Sequence, residues 1–349
     1  MLNFNQLFTS PGMYPLHINP LKRVVEFCEM DSDSYRRSPF LDHRIIKASA
    51  RSFALPFDEI HTDATFSRPA DVRIIYHSAF CCSTLLARYL DAISKSLVLR
   101  EPHSLYELAS FKRFYNTNII HNVSLPDWDK LYQFIILLLS RRYASSHPVI
   151  IKPSDGCNNL MEELLNTNSE NRGLFLYSDI HRFLVSVLKY EQRHEWARIR
   201  VRELTLDRQK KGMMVKYDPR RLTNWQTAAL VWIYHIEMYN QTCQTTKRDK
   251  ICALDSVLLL NRPVSALSAI LRHFGNAVDD MIIEQALAED EFKTHSKDPN
   301  QSYDEETRDR EFKDVSRHMQ NEIQAGLEWA SETMGTDHTQ AIPSHQLLV

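Results

Sequence analysis

Two adjacent hydroxyls, Ser83 and Thr84, follow the vicinal thiols Cys81 and Cys82 in a stretch that reads RIIYHSAFCCSTLLARYLD from residue 73. An apolar run, a tight turn and the opening of an amphipathic helix succeed one another there. That order aims several backbone amides and the positive end of a helix at one point, which suits a phosphate. A second concentration, LVLREPHSLYEL, sets Arg100, Glu101 and His103 at the end of another apolar run. A carboxylate held in a pocket can have its pKa raised toward working pH, and parallel-sheet strand ends are where α/β sites gather. The plainer reading of Glu101 is a cap for a helix that starts near Pro102. A third stretch, VIIKPSDGCNN, points Lys152 and Ser154 out of a strand end, where the ammonium needs either a bound anion or a salt bridge to Asp155 or Glu101.

The general phosphate-loop pattern is G-x-x-x-x-G-K-[ST], in which glycine allows the turn, lysine neutralises charge and the hydroxyl reaches phosphate or magnesium. Laid on His77 to Thr84, the pattern puts Cys82 on the second glycine and Ser83 on the lysine, and Thr84 keeps the hydroxyl. An ATP-hydrolysing loop of the usual kind is therefore absent. Magnesium-dependent phosphotransfer would have to draw on Lys152, the one lysine at a strand end. A binder that holds a nucleotide without catalysis would keep the loop and lack a base.

FCCSTLLARYL resembles the loop of the P-loop sulfotransferases, which typically reads K-[SA]-G-T-T-W or S-G-T-T-L-L. The resemblance implies 3′-phosphoadenosine 5′-phosphosulfate as donor, with Phe80, Cys81, Cys82, Ser83 and Thr84 around its 5′-phosphosulfate end. Phe80 falls where many members carry lysine, so an arginine from elsewhere would have to supply that charge. REPH is similar to a segment of some carbohydrate sulfotransferases in which the glutamate is the general base. This implies Glu101 as base, with His103 as the competing base. In LFLYSDIHRFLVSVLK the family's serine for the 3′-phosphate corresponds to Ser186, while its arginine position holds Ser178. Arg182, one helical turn before Ser186, is either the replacement charge or an ordinary surface arginine. The family's closing basic loop would correspond to EFKTHSKDP, with Lys293, His295 and Lys297. The reaction implied is in-line transfer to a hydroxyl or amine of a small-molecule, carbohydrate or peptide acceptor, without a metal.

These residues need a frame, and the chain supplies one from residue 72 onward. Five short β-rich runs, VRIIYHS, SLVLREP, PVIIKPS, RGLFLYSD and DKICALDSVLLL, alternate with helical stretches, which predicts a parallel sheet. The fold class expected is α/β, a doubly wound, mainly parallel sheet with a phosphate-loop nucleotide site, plus an N-terminal lobe and a C-terminal helical tail. The expected divisions are 1–70 for the lobe, 71–285 for the α/β domain and 286–349 for a polar loop and last helix. DIHRFLVSVLKYEQRHEWARIRVREL reads as one long helix, LTNWQTAALVWIYHIEMYNQTCQTT as a buried one, and VSALSAILRHFG as a helix closed by Gly275. In GCNNLMEELLNTN, Asp155 or an asparagine is the expected cap. The stretch after 285 reads first as a long loop and then as one helix, and the last residues as frayed.

The totals bound the function. The 349 residues, 43% hydrophobic and 25% charged, suffice for a full core. A formal charge of -2 excludes a global electrostatic case for nucleic acid or an anionic membrane. Six cysteines without paired spacing predict reduced thiols in a cytoplasmic protein, and the N-terminus carries no secretion-like run. Cys81 and Cys82 read either as a reactive pair at a helix start or as small residues beside a tight turn. No histidine pair has the close helical spacing of a zinc or iron site, so no metal is expected.

Overall fold

In the computed structural model, residues 4–60, 68–115, 123–143, 147–289, 294–295, 298–302, 305–335 and 343–349 are described. Each of the five β-rich runs holds a strand of one parallel sheet. With β1 (Met13–Asn19), β2 (Val24–Glu29) and β3 (Ser52–Pro56) preceding them, these are β4 (Val72–His77), β5 (Val98–Arg100), β6 (Val149–Lys152), β7 (Arg172–Tyr177) and β8 (Ile251–Asp255). The order across the sheet is β5-β6-β4-β7-β8, so β4 is the central strand. All six residues of β4 are buried, so Ile74, Ile75 and Tyr76 follow one another without polar alternation, and the buried Arg73 donates to the carbonyl of Phe274.

By contacts the chain divides into two compact units, one of residues 1–76, 87–173 and 271–278, the other of 77–86, 174–270 and 279–349. In the first, β1, β2 and β3 form an antiparallel sheet in which Phe27 and Phe53 stack at 4.4 Å. The register of β1 on β2 slips between Pro15 and His17, a bulge that re-aims the side chains beyond it. The helix Leu125–Leu139 opens on a capping box of Ser124 and Asp127 and turns Leu131, Ile135 and Leu138 inward. Gly275 stands at φ +76 with its amide on the carbonyl of Arg272, the glycine stop expected after the helix Pro263–His273.

In the second unit, the helix Asn224–Thr245 is capped by Thr223 and buried along most of its length, with Trp232 and Tyr239 almost wholly enclosed. The expected single helix after β7 is instead two, Ile180–Leu188 and Glu191–Lys210, because Tyr190 takes an extended conformation between them. The break turns the second helix back, so that Arg193 donates to the carbonyl of Ser186. The expected fifth strand is also shorter than its apolar run. Asp255 accepts the amide of Val257 and starts a helix, Ser256–Asn261, from residues whose apolarity alone does not separate strand from helix.

Two further departures lie near the C-terminus. Residues Glu305–His318 form a helix ahead of the expected Gln320–Met334, where a long loop was anticipated. Residues 343–349 are docked rather than frayed: Ala253 donates to the carbonyl of His345 and accepts from Leu347 at 2.9 and 2.8 Å, and Tyr239 donates to the carbonyl of Ser344. An open edge of β8 offers unpaired backbone groups, and the tail satisfies them. Among the described residues, no helix is long and apolar enough to cross a membrane.

Candidate functional site

The loop between β4 and the helix Ser83–Ile93 belongs to the second unit. Ala79, Phe80 and Cys82 take left-handed conformations at φ +67, +49 and +63, and none of them is glycine. A left-handed L-residue costs on the order of 1–2 kcal/mol, and such strain persists only where surroundings over-determine it. Here the amide of Ser78 bonds the carbonyl of Leu176 at 3.1 Å, Nδ1 of His77 accepts the amide of Ala79 at 3.1 Å, and the Cys81 thiol donates to the Leu176 carbonyl at 3.2 Å. Cys82, set on the second glycine by the motif alignment, adopts the backbone conformation that a glycine there would take. Cys81 is a small buried residue under the turn.

Ser83 and Thr84 open the helix, each 5% exposed. Among the described residues neither hydroxyl has a hydrogen-bond partner. A hydroxyl that no protein group engages is available to an anion at the helix start.

Phe80, at the lysine position, does not hang free. Its ring meets Trp196 edge-on at 4.8 Å and Phe183 at 6.0 Å, and the guanidinium of Arg193 lies 4.7 Å from its centroid. Arg193 also covers the ring of Tyr190 at 4.8 Å. The structure thus brings a cation, Phe80 and Ser186 together in one unit, and Arg193 is a residue that the sequence reading did not single out. No local signal marks it, since Phe80 and Arg193 stand in different elements.

Ser178 is buried, its carbonyl taken by the indole of Trp232 at 2.8 Å and its hydroxyl without a hydrogen-bond partner. Arg182 pairs with Asp179 at 3.3 Å and stacks on Phe312 at 4.9 Å. Burial pushes the nearby Asp255 carboxyl up, repulsion from Asp179 adds to this, and Arg182 offsets part of it. The Arg182 guanidinium is thus engaged by Asp179 and the Phe312 ring. Lys293 and Lys297 lie outside the described residues, and nothing is described of the His295 side chain.

The first unit holds the other group. Glu101 follows β5 at φ +52, another left-handed non-glycine residue, and its amide bonds the carbonyl of Lys152 at 2.7 Å. Its carboxylate is ion-paired with the Lys152 ammonium, which is 2% exposed. Of the two partners considered for Lys152, Glu101 is the one it meets. Arg100 points elsewhere, because neighbouring strand residues face opposite ways. Its guanidinium binds the carbonyls of Tyr35 and Arg36 at 3.0 and 2.6 Å and lies 3.4 Å from Asp91, a structural clamp. Ser154 rather than Asp155 caps the turn that follows β6, accepting the amide of Gly156 at 3.4 Å.

His103 opens the helix His103–Phe114 and pairs with Glu107, one turn on, at 3.3 Å. His17 of β1 bonds the same carboxylate oxygen, Oε1. The hydrogen bond to Glu107 raises both imidazoles above their usual range. The sequence reading singled out neither Glu107 nor His17, which stands 90 positions away from Glu107.

No family model matches the chain, and no curated protein matches it. Among solved structures it is similar to the sulfotransferase domain from the curacin biosynthetic pathway, at 14% identity over 73% of this chain and 99% of that one, with a TM-score of 0.40. It is similar also to the sulfotransferase domain of the Synechococcus PCC 7002 olefin synthase, at 12% identity, 72% and 95% coverage and a TM-score of 0.38. A sulfotransferase from Alicyclobacillus acidocaldarius matches at 9% identity, 78% and 98% coverage and a TM-score of 0.36. At these scores the likeness assigns no role to any residue.

Proposed function

We propose that this chain is a sulfotransferase, moving the sulfuryl group of 3′-phosphoadenosine 5′-phosphosulfate to the hydroxyl or amine of an acceptor. The observation that carries the reading is the loop 78–84. Cys82 supplies a glycine-like turn, and two unpartnered hydroxyls follow it at the start of an eleven-residue helix. Amides and hydroxyls in that arrangement suit a phosphosulfate, whereas a nucleoside triphosphate with magnesium calls for a lysine in the loop, and none is there. Lys152, the alternative lysine, is engaged with Glu101.

In the reaction the acceptor oxygen or nitrogen forms a bond to sulfur as the bond from sulfur to the bridging oxygen breaks. Adenosine 3′,5′-bisphosphate leaves, and the acceptor proton passes to Glu101. Positioning and charge stabilisation provide the rate enhancement. Arg193 and Ser186 are the groups we assign to the nucleotide's phosphates, with Ser83 and Thr84 at the 5′ end.

The test is calorimetry with adenosine 3′,5′-bisphosphate against ATP plus magnesium. Tighter binding of the bisphosphate supports the reading. A preference for ATP with magnesium overturns it in favour of a phosphotransferase.

A further inference from the structure

His17, His103 and Glu107 come from two elements of the first unit and converge on one point. The three offer one ligand atom each, all within 4.8 Å of one another. Two ligands held at about 2.1 Å from a tetrahedral ion stand roughly 3.4 Å apart. The 3.3 Å between His103 Nε2 and Glu107 Oε1 already meets that spacing.

The surroundings hold these atoms in place. Glu107 is the fixed member: its second oxygen accepts the amide of Ile18 at 2.7 Å, and its side chain is only 11% exposed. His103 sits one helical turn before it, on the same face. His17 arrives from β1 immediately after the bulge between Pro15 and His17, the device that re-aims a strand side chain. The amide of His103 is tied to the carbonyl of Leu41 at 3.0 Å. Both imidazoles are more than a third exposed, at 37% and 38%, so an ion can reach them from solvent.

From this geometry we infer that His17, His103 and Glu107 form a binding site for a divalent first-row transition cation. Two imidazoles and one carboxylate are a ligand set for zinc, and for non-haem iron(II) on one face of an octahedron. Three protein ligands leave at least one coordination position open to water or to an oxygen of a bound molecule. The Ile18 amide bond to the free carboxylate oxygen is the outer contact that orients Glu107 toward the ion. This site is independent of the donor-binding reading, because it uses none of the loop residues.

The test uses the full chain stripped with a chelator and titrated with cobalt(II), followed by its visible absorption, and with zinc(II), followed by calorimetry. The parent is compared with His17→Ala, His103→Ala and a Cys82→Ser control, each checked for an unchanged metal-free melting curve. Where an alanine variant melts early, the glutamine variant at that position replaces it. One ion per chain is expected, with affinity weakened at least about tenfold in either histidine variant and unchanged in the cysteine control. The inference is overturned if the chain takes up no ion, if both histidine variants bind as the parent does, or if the site is lost with Cys82.

Discussion

The guanidinium of Arg193 lies over the Phe80 ring, 4.7 Å from its centroid, and donates to the carbonyl of Ser186. A cation thus lies against the loop residue Phe80, carried there by a different helix. Arg193→Ala is expected to weaken adenosine 3′,5′-bisphosphate binding by about tenfold to a hundredfold, the range of one or two charged hydrogen bonds. Binding should also lose part of its salt dependence. Calorimetry at two ionic strengths measures both, and a variant that binds as tightly as the parent removes Arg193 from the site.

Ser83 and Thr84 give a sharper contrast, since their hydroxyls are without partners among the described residues. Removing them should cost the free protein little. Ser83→Ala and Thr84→Ala are each expected to reduce nucleotide affinity about tenfold while leaving the melting temperature of the unliganded chain within about 1 °C. A drop in melting temperature with unchanged affinity would assign the hydroxyls to the fold instead.

Glu101, a quarter exposed, pairs with the buried Lys152, and the two ends of the pair should respond differently. Glu101→Gln is expected to lower turnover by about 10²- to 10⁴-fold with nucleotide binding intact, the scale of a lost general base. Lys152→Met leaves a carboxylate without its counter-charge and should destabilise the chain by about 3 kcal/mol. The double variant should recover part of that loss, which denaturant unfolding of all four proteins would reveal.

Burial pushes the thiol of Cys28 up to about 11 and that of Cys252 up to about 12. Both raised values mean that the folded chain keeps protons which the unfolded chain releases near the ordinary thiol range. Stability is therefore expected to fall as pH rises from about 9 toward those values, since the native state then binds more protons than the unfolded one. In the native chain at pH 8 the partly exposed Cys82 should react with a maleimide before Cys28 and Cys252, as labelling followed by peptide mass analysis would show.

Much of the frame was legible because local physics dictates it. The runs VRIIYH and RGLFLY carry adjacent apolar residues rather than an alternation, as strands covered on both faces do, and STLLARYLDAI carries a helix period directly after the turn. The turn ahead of that helix was legible too, and Ala79, Phe80 and Cys82 take left-handed backbone in it. Other features were not. VLLL after Asp255 is apolar enough for strand or helix, and the cap at Asp255 decided for helix. The turn at Tyr190 carries no proline or glycine; what marks it is the contact of Arg193 and Lys189 with its ring.

The order of residues by itself determined where strands and helices lie, which hydroxyls stand at the helix start and which carboxylate follows β5, because periodicity and turn chemistry act over a few neighbouring positions. Only the tertiary structure decided that Lys152 meets Glu101, that Arg100 clamps backbone carbonyls, that Arg193 covers Phe80 and that His17 joins His103 and Glu107. Each of those pairings joins separate elements, and packing, a bulge or a chain reversal brings them together without leaving any periodic trace in the sequence.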